Sequence, residues 1–215
     1  MNERYSPEDS EIINGNDSFK NYIPSNETQK FAKEWLENLT EYIIENNLHF
    51  EEPAIIWIEG KPWLWKSHLL NAIKLELSKN NIIFSHNTDE YFLQNWAYSQ
   101  SNIIIIDDLF KDLKSLKELN SISSRIVLNQ IEKMIFDLYE KNKILIVSSN
   151  FNIKDILEKL SEWDDVWRLK DRITELLWHV QPIEITWDSY RIKKAKLKST
   201  ISDIFNKVKS THPNE

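Results

Sequence analysis

The stretch Glu59-Gly-Lys-Pro-Trp-Leu-Trp-Lys-Ser-His-Leu-Leu-Asn-Ala-Ile73 decides how the rest of the chain is interpreted. It lies between an apolar run and a helical pattern, and it comes close to the pattern Gly, four residues, Gly-Lys-Ser/Thr. In that pattern the backbone N–H groups wrap a polyphosphate at the positive end of the helix. Gly60, Lys66 and Ser67 occupy the matching positions. The stretch therefore predicts a phosphate-binding loop.

Two tryptophans depart from the pattern. Position 65, where the second Gly is needed, is Trp, and position 63, also commonly Gly in such loops, is Trp as well. An indole at 65 carries a Cβ where the backbone needs a glycine-type conformation, and it puts bulk where the phosphates approach. The loop as written is not expected to hold a nucleotide.

The composition offers an explanation for these tryptophans. The chain of 215 residues has 2 Gly and 9 Trp, whereas average usage predicts about 15 Gly in a chain of this length. We interpret several Trp as residues that the organism makes as Gly, through a stop codon reassigned to Gly but translated here as Trp. Trp63, Trp65 and Trp187 are the best candidates. The alternative is a tryptophan-rich loop that has lost its activity.

Length and charge exclude several classes of protein. With 41% hydrophobic residues the chain can bury one core, and without an apolar run of about 20 residues we expect a soluble, cytoplasmic protein with no membrane partner. The chain has no Cys, and its His residues lack ligand spacing, so thiolate chemistry and a transition metal held by the protein are not expected. A net charge of −7 argues against a surface that binds duplex DNA throughout.

Strand and helix patterns alternate along the chain. Apolar runs predict strands near 54–58, 81–85, 103–106, 144–147 and 183–186, and helical spacing predicts helices near 28–46, 66–79, 89–97, 124–141, 153–160 and 169–177. Trp187-Asp188 predicts a tight turn of a short C-terminal hairpin. The expected fold is an α/β domain with a five-stranded parallel sheet between two helical layers. We expect this domain at 19–198, after a flexible acidic arm at 1–18 and before a short helix and tail at 199–215.

Acidic and polar residues follow two of the predicted strands. A phosphate-binding loop needs a distant strand-end Asp, because Mg²⁺ at the β- and γ-phosphates is held by that Asp and by the loop hydroxyl. Asp107 and Asp108 supply such an end, and Ser67 supplies the hydroxyl. Asn150, at the end of the following strand, could orient water or contact the γ-phosphate. Its alternative is a simple turn residue.

Two arginines lie on one face of a predicted helix. Arg168 and Arg172 are four residues apart, so their guanidinium groups point the same way. They could pair with nearby carboxylates on the surface, or one could reach the nucleotide of a neighbouring subunit. The residue pattern by itself favours the surface pairs.

Together these motifs resemble a known family. The loop, Ile-Ile-Asp107-Asp108-Leu, Ser-Ser-Asn150, Arg168-Leu-Lys-Asp-Arg172 and Trp187-Asp-Ser-Tyr-Arg191 are similar to motifs of AAA+ ATPases of the helicase-loader (DnaC) and transposition-helper (IstB) type. The replication initiator DnaA shares the Gly-Leu-Gly-Lys-Ser/Thr-His-Leu-Leu loop, which this chain has if 63 and 65 are Gly. The similarity runs from about Ser18 to Arg191, with the motifs in the family order.

The resemblance implies an ATPase with the P-loop NTPase (AAA+) fold and with ATP and Mg²⁺ as cofactors. It implies that Lys66 contacts the β- and γ-phosphates, that Ser67 and Asp107 hold Mg²⁺, and that Asp108 helps to activate water. Asn150 would be the sensor, and Arg172, with Arg168 as second candidate, would be the arginine finger. The whole loop would line the nucleotide: Gly60, Lys61, Pro62, Trp63, Leu64, Trp65, Lys66, Ser67 and His68.

The resemblance also implies a role in DNA replication, as a helicase-loader-like or initiator-like factor that forms a homo-oligomer on ATP binding. Its alternatives are a transposition-helper ATPase and, if Trp63 and Trp65 are real, a non-catalytic P-loop adaptor. A replicative helicase, an initiator and single-stranded DNA are the candidate partners. No matched residue supports helicase binding, because only the short acidic arm precedes the ATPase region. We also expect no counterpart of the initiator's C-terminal duplex-binding module, because the residues after Arg191 do not resemble it.

Overall fold

A computed structural model describes residues 17–46, 52–62, 65–87, 101–110, 122–161, 167–178 and 182–186. In these ranges the helices are α1 (Glu27–Glu45), α2 (Lys66–Lys79), α3 (Ile122–Lys141), α4 (Ile153–Ser161) and α5 (Trp167–Trp178). The strands are β1 (Ala54–Gly60), β2 (Phe84–Asn87), β3 (Ile103–Leu109), β4 (Ile144–Ser149) and β5 (Ile183–Ile185). No helix within the described ranges is long and apolar enough to cross a membrane.

The strands form one five-stranded sheet in the order β2-β3-β4-β1-β5, with every neighbouring pair parallel. This confirms the predicted fold class. Strand β1 lies between β4 and β5, and the loop that follows it leads into α2. Ligands of such open sheets bind in the crevice outside the carboxyl ends of the strands, so the topology places the predicted loop where a ligand site is expected.

Apolar side chains form a core on each face of the sheet. In β3, Ile103 and Ile105 pack on the side of α1 and α2, whereas Ile104 and Ile106 pack on the side of α3, α4 and α5. Successive side chains of a strand point to opposite faces, which explains why runs of consecutive apolar residues form these strands. The same alternation carries Asp107 to the face that α2 covers.

The prediction for the second strand was wrong at its start. Asn81 adopts a left-handed backbone conformation with φ 57°, and the N–H of Ile82 donates to the carbonyl of Leu77 at 3.0 Å. These residues close the end of α2, so the strand begins only at Phe84, and Ile83 is 55% exposed. A short run of apolar residues fits a buried helix end as well as a strand, so the sequence does not distinguish the two.

The amino edge of the sheet holds a buried ion pair. Lys143, immediately before β4, is buried, and its Nζ lies 2.9 Å from Oδ2 of Asp137 on α3. Lys141 also contacts this carboxylate. Burial raises the pKa of Asp137, but hydrogen bonds from Lys141 and Lys143 outweigh that effect and hold the pKa below its ordinary value. This buried cation is therefore paired within the fold.

Several predicted segments lie outside the described residues. They are the acidic arm up to residue 16, the helix at 89–97, the hairpin turn at Trp187-Asp188 and the C-terminal helix and tail.

Candidate nucleotide-binding site

The residue before α2 adopts the conformation that the loop pattern demands of glycine. Trp65 has φ 63° and ψ 22°, in the left-handed region, and its side chain makes no cap hydrogen bond to the helix. Its indole is 61% exposed. A positive φ carries little penalty for Gly but is an outlier for a bulky residue. Trp35, by contrast, lies within α1 and is buried in the core.

The side chain of Lys66 is folded into the loop. Its Nζ donates to the carbonyls of Gly60 at 2.9 Å and Lys61 at 3.1 Å, and to Oδ1 of Asn150 at 2.8 Å. Lys66 is only 5% exposed. Burial lowers its pKa, while the charges of Asp108 and Asp107 act in the opposite direction. The ammonium group is thus buried against neutral oxygens.

The two acidic residues lie in an irregular part of β3. The register with β4 shifts between Ile106 and Leu109, and Asp108 has φ 54°. Ser148 joins the two: its Oγ donates to Oδ1 of Asp107 at 2.6 Å and accepts from the N–H of Asp108 at 2.8 Å. Such a bulge re-aims side chains at the end of a strand. Here it keeps both acidic residues at the carboxyl edge of the sheet.

These residues suit the magnesium ion that the resemblance implied. Mg²⁺ takes oxygen ligands and is held in such sites by few protein groups together with the substrate phosphates. Asp107 lies on the face of α2, Ser67 is in the first turn of α2, and Ser148 holds Oδ1 of the Asp107 carboxylate. Within the described residues, no group of three or more His, Cys, Asp or Glu could hold a metal by itself.

The loop after β4 brings Asn150 to the phosphate-binding loop, as the sequence suggested. Ser149 Oγ donates to the carbonyl of Leu109 at 3.0 Å and accepts from the N–H of Phe151 at 3.1 Å. This arrangement anchors the segment to β3 while Asn150 faces Lys66. The amide is therefore in contact with the lysine that the loop pattern assigns to phosphates.

The segment before α1 packs against the start of α2, a contact that no sequence motif predicts. Asp17 contacts the ring Nδ1 of His68 at 3.4 Å and accepts from Nδ2 of Asn71 at 2.8 Å. The other ring nitrogen of His68 lies 3.0 Å from the carbonyl oxygen of Ser18, and the ring of Tyr22 meets the imidazole edge-on. A polar Asp and a His separated by about fifty positions leave no periodic signal in a sequence.

The two arginines lie on α5. Arg172 pairs with Glu175 at 2.9 Å, and its guanidinium lies over the ring of Tyr139, 4.9 Å from the centroid. Hydrogen bonds to Glu175 and Tyr139 raise the pKa of Arg172. Both arginines are exposed. Within one chain Arg172 thus has the surface carboxylate partner that the residue pattern favoured, and the finger role stays a prediction.

Comparison with known proteins supports the fold. No model of a protein family matches the sequence, and no curated protein matches it significantly. Solved structures do match. The AMPPCP-bound DnaA of Aquifex aeolicus superposes with a TM-score of 0.54 at 21% identity, over 87% of this chain and 56% of that one. The chain has the fold of DnaA and of helicase loaders.

Two further structures are matched over nearly their whole length. DnaI has a TM-score of 0.56 at 19% identity, over 84% of this chain and 93% of that one. The DnaC helicase loader has a TM-score of 0.53 at 18% identity, over 80% of this chain and 97% of that one. The resemblance to DnaC-type and DnaA-type AAA+ proteins is therefore confirmed at the level of the fold. The chain spans only about half of the DnaA structure.

Proposed function

We propose that the chain is an AAA+ protein that binds and hydrolyses ATP in DNA replication, as a helicase-loader-like or initiator-like factor. The observation that carries the proposal is the environment of Lys66. A buried ammonium at the start of a helix, bonded only to neutral oxygens among the contacts described above, favours an anion as its missing partner. The fold shared with AMPPCP-bound DnaA makes a nucleotide the natural anion.

We assign to the residues the roles that the resemblance implied, and their positions support this assignment. Lys66 would leave the carbonyls of Gly60 and Lys61 and donate to the β- and γ-phosphates. Ser67 and Asp107 would hold Mg²⁺, which neutralises charge that develops on the transferred phosphoryl group. Asp108, at the same strand end, would orient and help to deprotonate water. Asn150, which already meets the Lys66 ammonium at 2.8 Å, would sense the γ-phosphate.

The proposal requires glycine in the loop. Trp65 has the left-handed conformation that glycine adopts without strain, and this supports the interpretation that the natural residue at 65 is Gly. We extend the interpretation to Trp63 and Trp187, and we expect the codons of all three residues to be the reassigned stop codon UGA. Mass spectrometry of the natural protein should show Gly at these positions. Peptides with Trp at 63 and 65 would disprove the recoding.

Nucleotide titration of loop variants tests the proposed function. The chain as written should bind a fluorescent ATP analogue poorly, and Trp63→Gly with Trp65→Gly, here called the Gly-restored chain, should bind it in a Mg²⁺-dependent way. Lys66→Ala in the Gly-restored chain is the control that should lose the binding. Equal affinity of the written and Gly-restored chains would refute the steric argument.

A matched variant separates the two effects of glycine at 65. Trp65→Ala in a Trp63→Gly background removes the indole but keeps a Cβ, and so retains the penalty of about 1 kcal/mol or more for the left-handed conformation. We expect its affinity to lie between those of the written and Gly-restored chains. If the Gly-restored chain binds no nucleotide at all, a non-catalytic adaptor becomes the better interpretation.

We further propose that ATP binding drives self-assembly, with Arg172, or Arg168, reaching the nucleotide of a neighbouring subunit. A solved DnaA structure contains both AMPPCP and single-stranded DNA, with a TM-score of 0.53 to this chain at 18% identity. Single-stranded DNA, a replicative helicase and an initiator are accordingly the partners to test first. A transposition-helper role is the alternative, and the neighbouring genes would distinguish the two.

A further inference from the structure

Glu59 is a buried carboxylate immediately before the phosphate-binding loop. It belongs to β1 and is only 5% exposed. The alternation of β1 places it with Ile55 and Trp57, whose side chains pack in the core on the side of α3, α4 and α5. Glu59 therefore lies on the opposite face of the sheet from α2, and none of the roles proposed above uses it.

Both carboxylate oxygens of Glu59 accept hydrogen bonds from the start of α4. Nδ2 of Asn152 donates to Oε1 at 2.7 Å, and the N–H of Ile153 donates to Oε2 at 2.8 Å. Asn152 in turn accepts from the N–H of Lys154 at 2.8 Å. The first N–H groups of a helix have no partner within the helix. Here Glu59 of strand β1 supplies an acceptor for one of them.

These contacts close a ring around the segment that carries Asn150. Glu59 is bonded to Asn152, two residues after Asn150, and it is covalently followed by Gly60. The carbonyl of Gly60 and the side chain of Asn150 both accept from Lys66. A change in the Glu59 contacts would thus reach the side chains that face the phosphates, through a short chain of hydrogen bonds.

We propose that Glu59 is a positioning residue for the nucleotide site, and that its ionised form holds the Asn150 segment against the phosphate-binding loop. The proposal rests on the proposed function, since it concerns the same site. A carboxylate can accept from Asn152 and Ile153 at once. A protonated carboxyl has a hydrogen on one oxygen, which then faces a donor, and one of the two hydrogen bonds is lost.

The environment makes this protonation accessible near neutral pH. The pKa of Glu59 is raised to about 7, mainly by burial. The hydrogen bond from Ile153 and the charge of Lys154 on α4 lower this pKa. The charges of Glu184 on β5 and Asp155 on α4 raise it. Glu184 is the register partner of Glu59. Below about pH 7 an increasing fraction of Glu59 is protonated in the folded chain. The hydrogen bonds from Asn152 and Ile153 to its carboxylate therefore weaken as the pH falls.

The pH dependence of nucleotide affinity tests the proposal. In the Gly-restored chain with saturating Mg²⁺, affinity for AMPPCP should fall by up to about tenfold as the pH drops from about 8 to about 6, because a hydrogen bond to a charged group is lost. Glu59→Gln keeps the shape but offers one acceptor at every pH. It should show low affinity and a flat profile over the same range.

Glu184→Gln is the matched control. It removes a neighbouring negative charge and leaves both Glu59 hydrogen bonds in place, so the step should persist with its midpoint moved to lower pH. A step that survives in Glu59→Gln would overturn the proposal. An affinity that rises as the pH falls would also overturn it, because the carboxylate would then act by repelling the phosphates.

Hydrogen exchange of the Ile153 amide provides a readout without nucleotide. At about pH 8 its protection should drop by about tenfold in Glu59→Gln and stay unchanged in Glu184→Gln. If protection drops but the nucleotide profile is flat in the Gly-restored chain, Glu59 is only a helix cap and the positioning role is wrong. If that chain binds no nucleotide at any pH, the proposed function itself has failed.

Discussion

Lys143 and Lys66 are both almost completely buried, but they lie at opposite edges of the sheet and have different partners. At the amino edge, Nζ of Lys143 lies 2.9 Å from the carboxylate of Asp137. At the carboxyl edge, Nζ of Lys66 contacts two backbone carbonyls and the amide oxygen of Asn150. The two aspartates near Lys66 influence its pKa, and Ser148 holds one of them.

This difference separates a structural charge from a functional one. A buried ion pair needs both partners, and removing one leaves a charge that water no longer stabilises. A buried cation surrounded by neutral oxygens has a less favourable environment in the free protein, and an anionic ligand improves it. We therefore expect substitutions at the amino edge to change stability and those at the carboxyl edge to change ligand affinity.

The largest effect should come from Arg172, the proposed arginine finger. In the Gly-restored chain, Arg172→Ala should keep ATP binding but lose about 10³ in turnover, because a finger stabilises charge only in the transition state. Mixing Arg172→Ala with Lys66→Ala protein should restore some activity, since one intact composite site can form at the mixed interface.

Steady-state ATPase assays over a range of protein concentration check this prediction. Turnover per chain that does not depend on concentration, or full activity of Arg172→Ala, would leave Arg172 as the surface partner of Glu175. Glu175→Ala is the matched control: it removes the intrachain partner of Arg172 and should leave turnover intact.

The second effect concerns the amino edge. Asp137→Ala should lower the free energy of unfolding by about 3 kcal/mol, because it leaves the buried Lys143 without its carboxylate. Urea denaturation measures the change. The double variant Asp137→Ala with Lys143→Met should recover much of the loss, since no buried charge remains. Nucleotide affinity should not change in either variant, and a change would weaken the separation of the two edges.

The third effect is the converse at the carboxyl edge. Lys66→Met in the Gly-restored chain should weaken Mg²⁺-dependent ATP binding by about 100-fold, because it removes a charge-assisted contact to phosphate. Its thermal unfolding midpoint should stay the same or rise, since the variant no longer buries an ammonium among neutral oxygens. A midpoint that falls as far as in Asp137→Ala would show that Lys66 is structural as well.

The smallest effect concerns basic residues that belong to neither edge and lie outside the described residues. The segment from Arg191 to Lys198 is rich in basic residues on a chain of net charge −7, so we predict weak, salt-sensitive binding that prefers single-stranded DNA. Neutralising Lys193, Lys194, Lys196 and Lys198 should weaken it a few-fold and reduce the salt slope. Fluorescence anisotropy at several salt concentrations measures this slope. An unchanged slope would show that the segment is not the binding site.

The sequence alone determined the parallel sheet and predicted the phosphate-binding loop. Four consecutive isoleucines at 103–106 and the apolar runs of β1 and β4 predict strands buried on both faces, because alternation along a strand sends neighbouring residues to two cores. The order of Gly60, Lys66 and Ser67 between a strand and a helix is a local pattern of the same kind. The same pattern requires Gly at position 65, and Trp65 has a left-handed backbone in the folded chain.

Only the tertiary structure decided which of these groups meet. Asn150 contacts Lys66 across 84 positions and Glu59 contacts Ile153 across 94, because the β1–β4 pairing brings the ends of two distant strands together. Periodicity reports the local environment of each residue and carries no information about such pairs. The ionisation of a buried group likewise depends on neighbours from several elements, and for this reason Glu59 was identified only from its surroundings in the folded chain.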